Sequence, residues 1–226
     1  MKLNVKRHWW KILSVVLINT SIFLGFIMQV TMKPIVEESI RNYFFHPSLW
    51  FVMMIDFSIA LVYSIKFLQS GNLDFDIAVR CYASTGIFFG IVGLLTGMFW
   101  ANYTWGRGWV GDPKLISAAI ALLIYSAYFV LRGSMEEIEK RAKVSAIYNT
   151  FSYAMLFPTI FILPRLTDSL HPGSSGNPAL NPKDVDSSMF LVFWICSVPG
   201  WLMFSFWITS IRLKIIKLQE SDLKTF

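Results

Sequence analysis

Cysteine, histidine and charged residues are scarce in this chain of 226 residues. Its two cysteines, Cys81 and Cys196, lie within or at the ends of apolar segments and form no CxxC pair. Neither a disulfide framework nor a thiol-redox motif is therefore visible. Charged residues make up 15% of the chain and hydrophobic residues 55%, which is more apolar material than one soluble core of this size holds. The composition excludes an ordinary soluble domain and indicates a membrane protein.

Long apolar runs take the place of the missing polar residues. Six segments are long enough to cross a hydrocarbon core of about 30 Å, which takes about 20 helical residues. They cover residues 12–30, 49–65, 81–99, 115–131, 145–163 and 189–211. The basic leader before the first run resembles the start of a signal peptide, but the run is too long and no cleavage site follows it. We therefore expect an all-α polytopic membrane protein, with residues 1–226 forming a single domain of six transmembrane helices.

The basic residues are divided unevenly between the two sets of span ends. Fourteen lysines and arginines lie on the side that holds both termini, and six lie on the other side. The positive-inside rule then places both termini in the cytoplasm. Three loops are predicted to face outward, at residues 31–48, 100–114 and 164–188. Insertion topology and anionic membrane lipid account for the net charge of +6, so no nucleic-acid partner is expected.

Small residues and prolines punctuate several spans. One face of the third span carries glycine at steps of four, three and four residues, at Gly86, Gly90, Gly93 and Gly97. Such a face can approach a neighbouring helix closely, so we interpret it as a packing surface. Pro158 in the fifth span and the pair Pro199 and Gly200 in the sixth predict kinks, which a helix bundle tolerates.

Asp56 is the one carboxylate deep inside a span, and two interpretations of it stay open. In the first, it is protonated or hydrogen-bonded to Asn19, Thr20 or a tyrosine and fixes the helix bundle. In the second, it belongs to a proton relay, since an acid inside a membrane is by default a functional candidate. It follows His46 by ten residues, which places it about 15 Å further along a helix.

Two of the three histidines and a cluster of tryptophans fall in the outward loops. His46 lies in "RNYFFHPSLW", and His171 lies in the loop 164–188, whose four prolines predict an extended and mobile segment. The stretch "WANYTWGRGWVGDPK" adds Trp100, Trp105 and Trp109. The third histidine, His8, follows the basic start of the chain beside an interfacial aromatic anchor and is left out of the site.

Haem would use each of these unusual features. Bis-histidine ligation needs one imidazole on each side of the ring, and the two histidines come from different loops. Indoles suit the faces of the ring, and cations suit its carboxylates. Candidate carboxylate contacts are Arg41, Arg107, Lys114 and Arg165. Two structural alternatives stay open, in which the cations are ordinary residues of the membrane interface and the tryptophans form an interfacial aromatic belt.

The stretch "WANYTWGRGWVGDPKL" resembles the tryptophan-rich WWD loop of the haem-handling proteins of cytochrome c biogenesis, and the flanking outward histidines complete that pattern. By length and six-span layout the chain is most similar to the CcmC type, haem exporter protein C, over nearly its whole length. The resemblance implies non-covalent, b-type haem held at the periplasmic face of the inner membrane. It also implies a delivery subunit rather than an enzyme, which works with ABC transporter subunits and a periplasmic haem chaperone.

The family's functional positions are transferred residue by residue. His46 and His171 match the axial ligands, Arg41 matches a basic residue upstream of the first histidine, and the loop positions are Trp100, Trp105, Trp109, Asp112 and Lys114. Asp112 is also placed to cap the fourth span or to orient the loop, with Pro113 suited to the first helical turn. The sequence departs from the family at Gly108 and Gly111, where tryptophan is frequent, and at Lys114, where arginine is frequent.

Two other functions are alternatives to haem delivery. A bis-histidine cytochrome b subunit of an oxidoreductase would be expected to place its ligands within the spans, whereas His46 and His171 lie at their outer ends. A small six-helix transporter would be expected to show inverted repetition between spans, and no pair of spans shows it. Haem binding and presentation is therefore the first expectation.

Overall fold

The structure is a computed structural model, and it describes residues 5–30, 36–166, 168–171 and 185–223. The α-helices of this part are α1 Val5–Ile27, α2 His46–Ser70, α3 Leu73–Trp105, α4 Pro113–Gly133, α5 Ile138–Phe157, α6 Ser187–Val192 and α7 Val198–Leu223. A 3₁₀ helix, Glu37–Phe44, precedes α2. A π-helical segment and a 3₁₀ turn follow α5, at Pro158–Ile162 and Leu163–Arg165. A second π-helical segment, Phe193–Ser197, joins α6 to α7.

Six helical segments in the described part of the chain are long and apolar enough to cross a membrane, as the sequence predicted. Most of the helices extend beyond the predicted spans because capping groups, rather than hydropathy, determine where they end. Helix α1 is an exception, since it ends at Ile27 and the predicted span ran to residue 30. Helix α3 was expected over residues 81–99. Its first turn is instead capped by Asn72, whose side chain accepts a hydrogen bond from the Asp74 backbone N–H at 2.9 Å. It ends at Gly106, which adopts the left-handed conformation with φ of 75°. The cytoplasmic placement of both termini stays a prediction.

Helices α2 and α3 pack closely at the centre of the bundle, and the glycine face of α3 makes this possible. A Cβ atom on Gly86 would lie 2.7 Å from the Phe57 ring, and one on Gly90 would lie 2.6 Å from the Met53 sulfur. Phe57 in turn stacks on Tyr125 of α4, with ring centroids 3.5 Å apart. The predicted packing role of the glycine face is confirmed at these positions.

Asp56 is fully buried, and the Ser205 hydroxyl donates a hydrogen bond to its Oδ2 at 2.6 Å. The expected partners on α1 were wrong, since Asn19 bonds to the backbone of its own helix through Val15. The reason is the helix arrangement: α7, which carries Ser205, packs against both α1 and α2. Asp56 therefore links α2 to α7. A proton relay through it stays a prediction.

A second buried carboxylate lies at the end of the bundle where α3 begins and α4 ends. Arg132 in the last turn of α4 donates two hydrogen bonds to Asp76 in the first turn of α3, at 2.7 and 2.5 Å. Both residues are buried. The paired geometry satisfies both carboxylate oxygens, which is what a buried ion pair requires.

The prolines of the last two spans coincide with irregular helix. Pro158 begins the π-helical segment after α5, and Pro199 follows the π-helical segment that joins α6 to α7. Proline cannot supply the N–H of a regular helical hydrogen bond, so these prolines favour a local change of pitch. The predicted extended and mobile loop lies mostly outside the described residues, because residues 172–184 are among those not described.

Candidate functional site

A largely apolar cavity of about 310 Å³ lies at one end of the helix bundle. Its walls come from the 3₁₀ helix, from α2, α3 and α4, and from the irregular segment after α5. His46 and His171 both line it, His46 from the start of α2 and His171 from the chain beyond α5. Trp50, Trp100 and Lys114 line it as well. Ligand cavities in proteins range from about 300 to 1,000 Å³, so this one has the size of a small-molecule site.

His46 is the first residue of α2 and is held from two sides. Its Nδ1 lies 3.1 Å from the Thr96 hydroxyl of α3, and its Nε2 accepts a hydrogen bond from the Trp50 indole N–H at 3.2 Å. The ring rests against bare backbone of α3, because a Cβ atom on Gly97 would lie 2.8 Å from the His46 Cε1. The position and orientation of this imidazole are therefore determined by helix packing.

His171 is held by a carboxylate and by two aromatic rings. Its Nδ1 lies 2.9 Å from Asp112 Oδ1, a distance that suits an ion pair although the N–H direction is outside hydrogen-bond geometry. The ring centroids of Trp100 and Trp105 lie 5.6 and 5.1 Å from that of His171. The two indoles also contact each other edge to face, with centroids 4.9 Å apart. Trp100 and Trp105 thus form an aromatic corner around His171, with Asp112 beside the ring.

Asp112 connects three parts of the site through one buried carboxylate. It caps α4 by accepting a hydrogen bond from the Lys114 backbone N–H at 2.9 Å, as the sequence predicted. It also accepts hydrogen bonds from the Ser169 hydroxyl at 2.9 Å and from the Leu170 backbone N–H at 2.7 Å. These bonds bring the chain just before His171 onto the start of α4.

The surroundings of Asp112 keep it ionised. Burial alone would raise the pKa of this carboxyl, but the nearby His171 and the bonds from Leu170 and Ser169 outweigh burial and hold the pKa well below its usual range. A fixed negative charge beside Nδ1 favours a proton on that nitrogen, which leaves Nε2 of His171 as the nitrogen with the free lone pair.

The tryptophan-rich stretch divides into a helical part and a loop. Trp100 and Trp105 belong to the last turns of α3, so the expected loop 100–114 is shorter than predicted and occupies residues 106–112. The helix continues through them to Gly106, which adopts the left-handed conformation that ends it. The Trp100 indole N–H donates to the Ser39 carbonyl at 3.1 Å, which ties α3 to the 3₁₀ helix. Trp109 is 48% exposed and is not part of the cavity wall.

Two of the four cations proposed from the sequence, Lys114 and Arg41, lie in different surroundings. Lys114 lines the cavity. Arg41 instead donates hydrogen bonds to the carbonyl oxygens of Gly25 and Met28, at 2.9 and 2.7 Å, and forms an ion pair with Glu38 at 2.5 Å. These carbonyls belong to the end of α1, so the described contacts of Arg41 secure that helix end. The structure brings Lys114, but not Arg41, to the cavity.

Two residues that contact His46 were missed in the sequence. Trp50 follows His46 by four positions, a spacing that places two residues on one helix face once His46 is known to begin the helix. Thr96 lies on the neighbouring helix, and no local pattern in the sequence relates it to His46. The first omission had a visible signal, and the second required the register between α2 and α3.

Comparison with known proteins gives a match along almost the entire chain. The family described as Heme exporter protein C, CcmC, matches residues 2–225. A Heme exporter protein C of Rhodobacter capsulatus is 28% identical over 103 residues, which is 44% of this chain and 41% of that protein. The Heme exporter protein C of Escherichia coli is 24% identical over 145 residues, 64% of this chain and 55% of that protein.

A second kind of relative is similar over a shorter segment. A cytochrome c biogenesis protein CcsA of Prochlorococcus marinus is 42% identical over 76 residues, which is 33% of this chain and 23% of that protein. In each of these relatives the matched segment spans less than two thirds of the relative's own length.

Proposed function

The chain belongs to the Heme exporter protein C (CcmC) family, and from this premise we propose that it binds haem at one end of its helix bundle and presents it for cytochrome c maturation. The observation that carries the proposal is that His46 and His171, far apart in sequence, line one cavity. They come from different structural elements, as two ligands on opposite sides of a flat ring must.

The residues around the cavity suit haem as a cargo. Each histidine has its Nδ1 beside a neighbouring group, Thr96 for His46 and Asp112 for His171, so Nε2 is the nitrogen that would bind iron. In His46 this nitrogen accepts the Trp50 indole N–H, which iron would have to displace. The walls are mostly apolar, and indoles of Trp50 and Trp100 lie among them. Such walls match the porphyrin faces, while the ammonium group of Lys114 matches a propionate.

The proposed haem is b-type and non-covalent. Covalent attachment of haem uses a CxxCH motif, which this sequence lacks. The two cysteines do not belong to the cavity wall among the described residues. The protein's own part is then to bind, orient and release haem, and we assign no bond-making step to it.

The setting of this activity follows from the membrane topology. The protein is a multi-pass membrane protein by its six apolar helices, and we place it in the bacterial cytoplasmic membrane with both termini inside. The site then faces the periplasm, because the start of α2 and the α3–α4 connection lie at the end with fewer basic residues. Partners that fit this position are ABC transporter subunits and a periplasmic haem chaperone.

Electron transfer as a cytochrome b subunit is less well supported by this geometry. His46 is the first residue of α2, and His171 lies beyond the end of α5. Both candidate ligands therefore lie at one end of the bundle rather than at depths that would relay electrons across the bilayer.

Substitution of each histidine tests the assignment. We expect His46→Ala and His171→Ala each to lose stable haem while inserting normally, because a bis-histidine site needs both nitrogens. Haem bound per purified protein and mature cytochrome c in cells are the two measurements. His8→Ala is the matched control, since it removes the remaining histidine, whose side chain lines a separate surface pocket. Parental haem content in both cavity variants would contradict the site.

A further inference from the structure

The imidazole of His46 has its two nitrogens engaged in different ways. Nδ1 lies 3.1 Å from the Thr96 hydroxyl. That hydroxyl has backbone acceptors of its own, the carbonyls of Val92 at 2.9 Å and Gly93 at 3.0 Å. A hydroxyl that donates its proton to a carbonyl can only accept from a third group. Nδ1 of His46 is therefore the protonated nitrogen, and Nε2 carries the lone pair.

That lone pair is the acceptor for the Trp50 indole. The indole N–H lies 3.2 Å from Nε2, and the two rings meet at 81° with centroids 6.1 Å apart. Indole nitrogen can only donate, so the direction of this bond is certain. A neutral imidazole has one lone pair of this kind, and it serves one partner at a time.

The backbone of α3 is shaped to hold the two side chains in this arrangement. A Cβ atom on Gly93 would lie 3.1 Å from Trp50 Cε2, and one on Gly97 would lie 2.8 Å from His46 Cε1. Trp50 and His46 therefore both rest on glycine backbone, four residues apart on each helix. This pairing gives the glycines at 93 and 97 a role in the site as well as in helix packing.

We propose that the Trp50 indole N–H competes with haem iron for Nε2 of His46, and that this competition weakens haem binding and promotes its release. The proposal rests on the proposed function, since it takes His46 as an iron ligand. When iron binds Nε2, the hydrogen bond from the indole N–H to that nitrogen breaks. When haem leaves, the same hydrogen bond forms again. A side chain that replaces the iron at Nε2 suits a protein that must release haem.

The test measures how fast haem leaves the protein. Trp50→Phe keeps an aromatic ring against Gly93 and removes the N–H. We expect haem transfer from the purified, haem-loaded protein to excess apomyoglobin to slow by about two- to tenfold, the range that the net contribution of one neutral hydrogen bond gives. Trp201→Phe is the matched control, because Trp201 packs between Phe89 and Phe204 outside the cavity wall, and its transfer rate should equal the parental rate.

A second variant separates the N–H from the shape of the ring. Benzothienylalanine at position 50 replaces the indole N–H by sulfur and keeps the bicyclic outline, so it should slow transfer as Trp50→Phe does. Unchanged or faster transfer from this variant would overturn the competition. Failure of the proposed function would look different, because haem content would then be indifferent to His46→Ala and His171→Ala.

Discussion

The two histidines of the cavity are held by different means. His46 lies at the start of a long helix and is positioned by side chains of two helices, Thr96 and Trp50, both of them neutral. His171 lies in the connection between α5 and α6 and is positioned by the charge of Asp112. One imidazole is set by the packing of the bundle, and the other by a single carboxylate that also holds the chain on which it lies.

This difference predicts unequal sensitivity to substitution. Packing between α2 and α3 involves many contacts, so the loss of one polar partner of His46 leaves the ring in place. Asp112 is the common acceptor for Ser169, Leu170 and the cap of α4, so its loss releases several contacts together. The His171 side of the cavity should therefore be the more sensitive one.

Asp112→Ala should have the largest effect of the substitutions that spare the histidines. We expect haem retention to fall by about 10- to 100-fold, as is typical when the outer-sphere partner of a metal ligand is removed. Loss of the helix cap alone would cost about 1 kcal/mol, which a six-helix bundle should survive. The measurements are haem per purified protein and mature cytochrome c in cells.

Asp112→Asn is the control for that substitution. Asparagine still caps a helix but lacks the charge beside His171. An intermediate loss of haem would separate the contribution of the charge from that of the cap. If Asp112→Ala retained parental haem, the coupling of the loop to His171 through this carboxylate would be disproved.

The aromatic corner gives the next largest effect. Trp105→Ala removes a ring that lies 5.1 Å from His171, and we expect haem content to fall several-fold, since an aromatic contact is worth about 0.5–1.5 kcal/mol beyond its buried area. Neither residue lines the cavity itself, and Trp109→Ala is the comparison because that side chain is 48% exposed and, unlike Trp105, is not among the rings described in contact with His171. Equal losses in the two variants would extend the haem contact to the loop beyond Gly106. No loss in either would return both to an interfacial belt.

Thr96→Val should have the smallest effect, because His46 stays packed against α3. We expect haem affinity to fall by about two- to fivefold, within the range for one neutral hydrogen bond. Thr96→Ser, which keeps the hydroxyl, should restore the parental affinity and the parental reduction potential of bound haem. A loss that serine does not restore would mean that Thr96 acts through packing and does not orient the imidazole.

The number and approximate position of the membrane-spanning helices were predictable because they depend on composition. Six apolar runs of about twenty residues predict six spans, because a helix satisfies all its backbone hydrogen bonds internally, as the bilayer requires. Asp112 was predictable as a helix cap because an acid followed by proline is typical of a helix start. The ends of α3 were not, since Asn72 and Gly106 lie outside its apolar run and determine them by local hydrogen bonding and φ.

The details of the site depend on how neighbouring helices are aligned, which no local pattern in the sequence indicates. Thr96 contacts His46 because of the register between α2 and α3. Ser205, rather than Asn19, bonds to Asp56 because α7 packs against α2. Arg41 was expected to contact haem because it matches a basic residue upstream of the first histidine in the family pattern. The end of α1 offers it unpaired carbonyl oxygens instead, and no pattern near Arg41 indicates that contact.

The most direct test of the account is the spectrum of the purified protein after loading with haem. We expect one haem per chain and the absorption and electron paramagnetic resonance of low-spin iron with two nitrogen ligands. His46→Ala and His171→Ala should each abolish that low-spin species in any haem they retain. A high-spin spectrum in the parental protein, or a low-spin spectrum that survives both substitutions, would contradict the claim that these two histidines hold the iron between them.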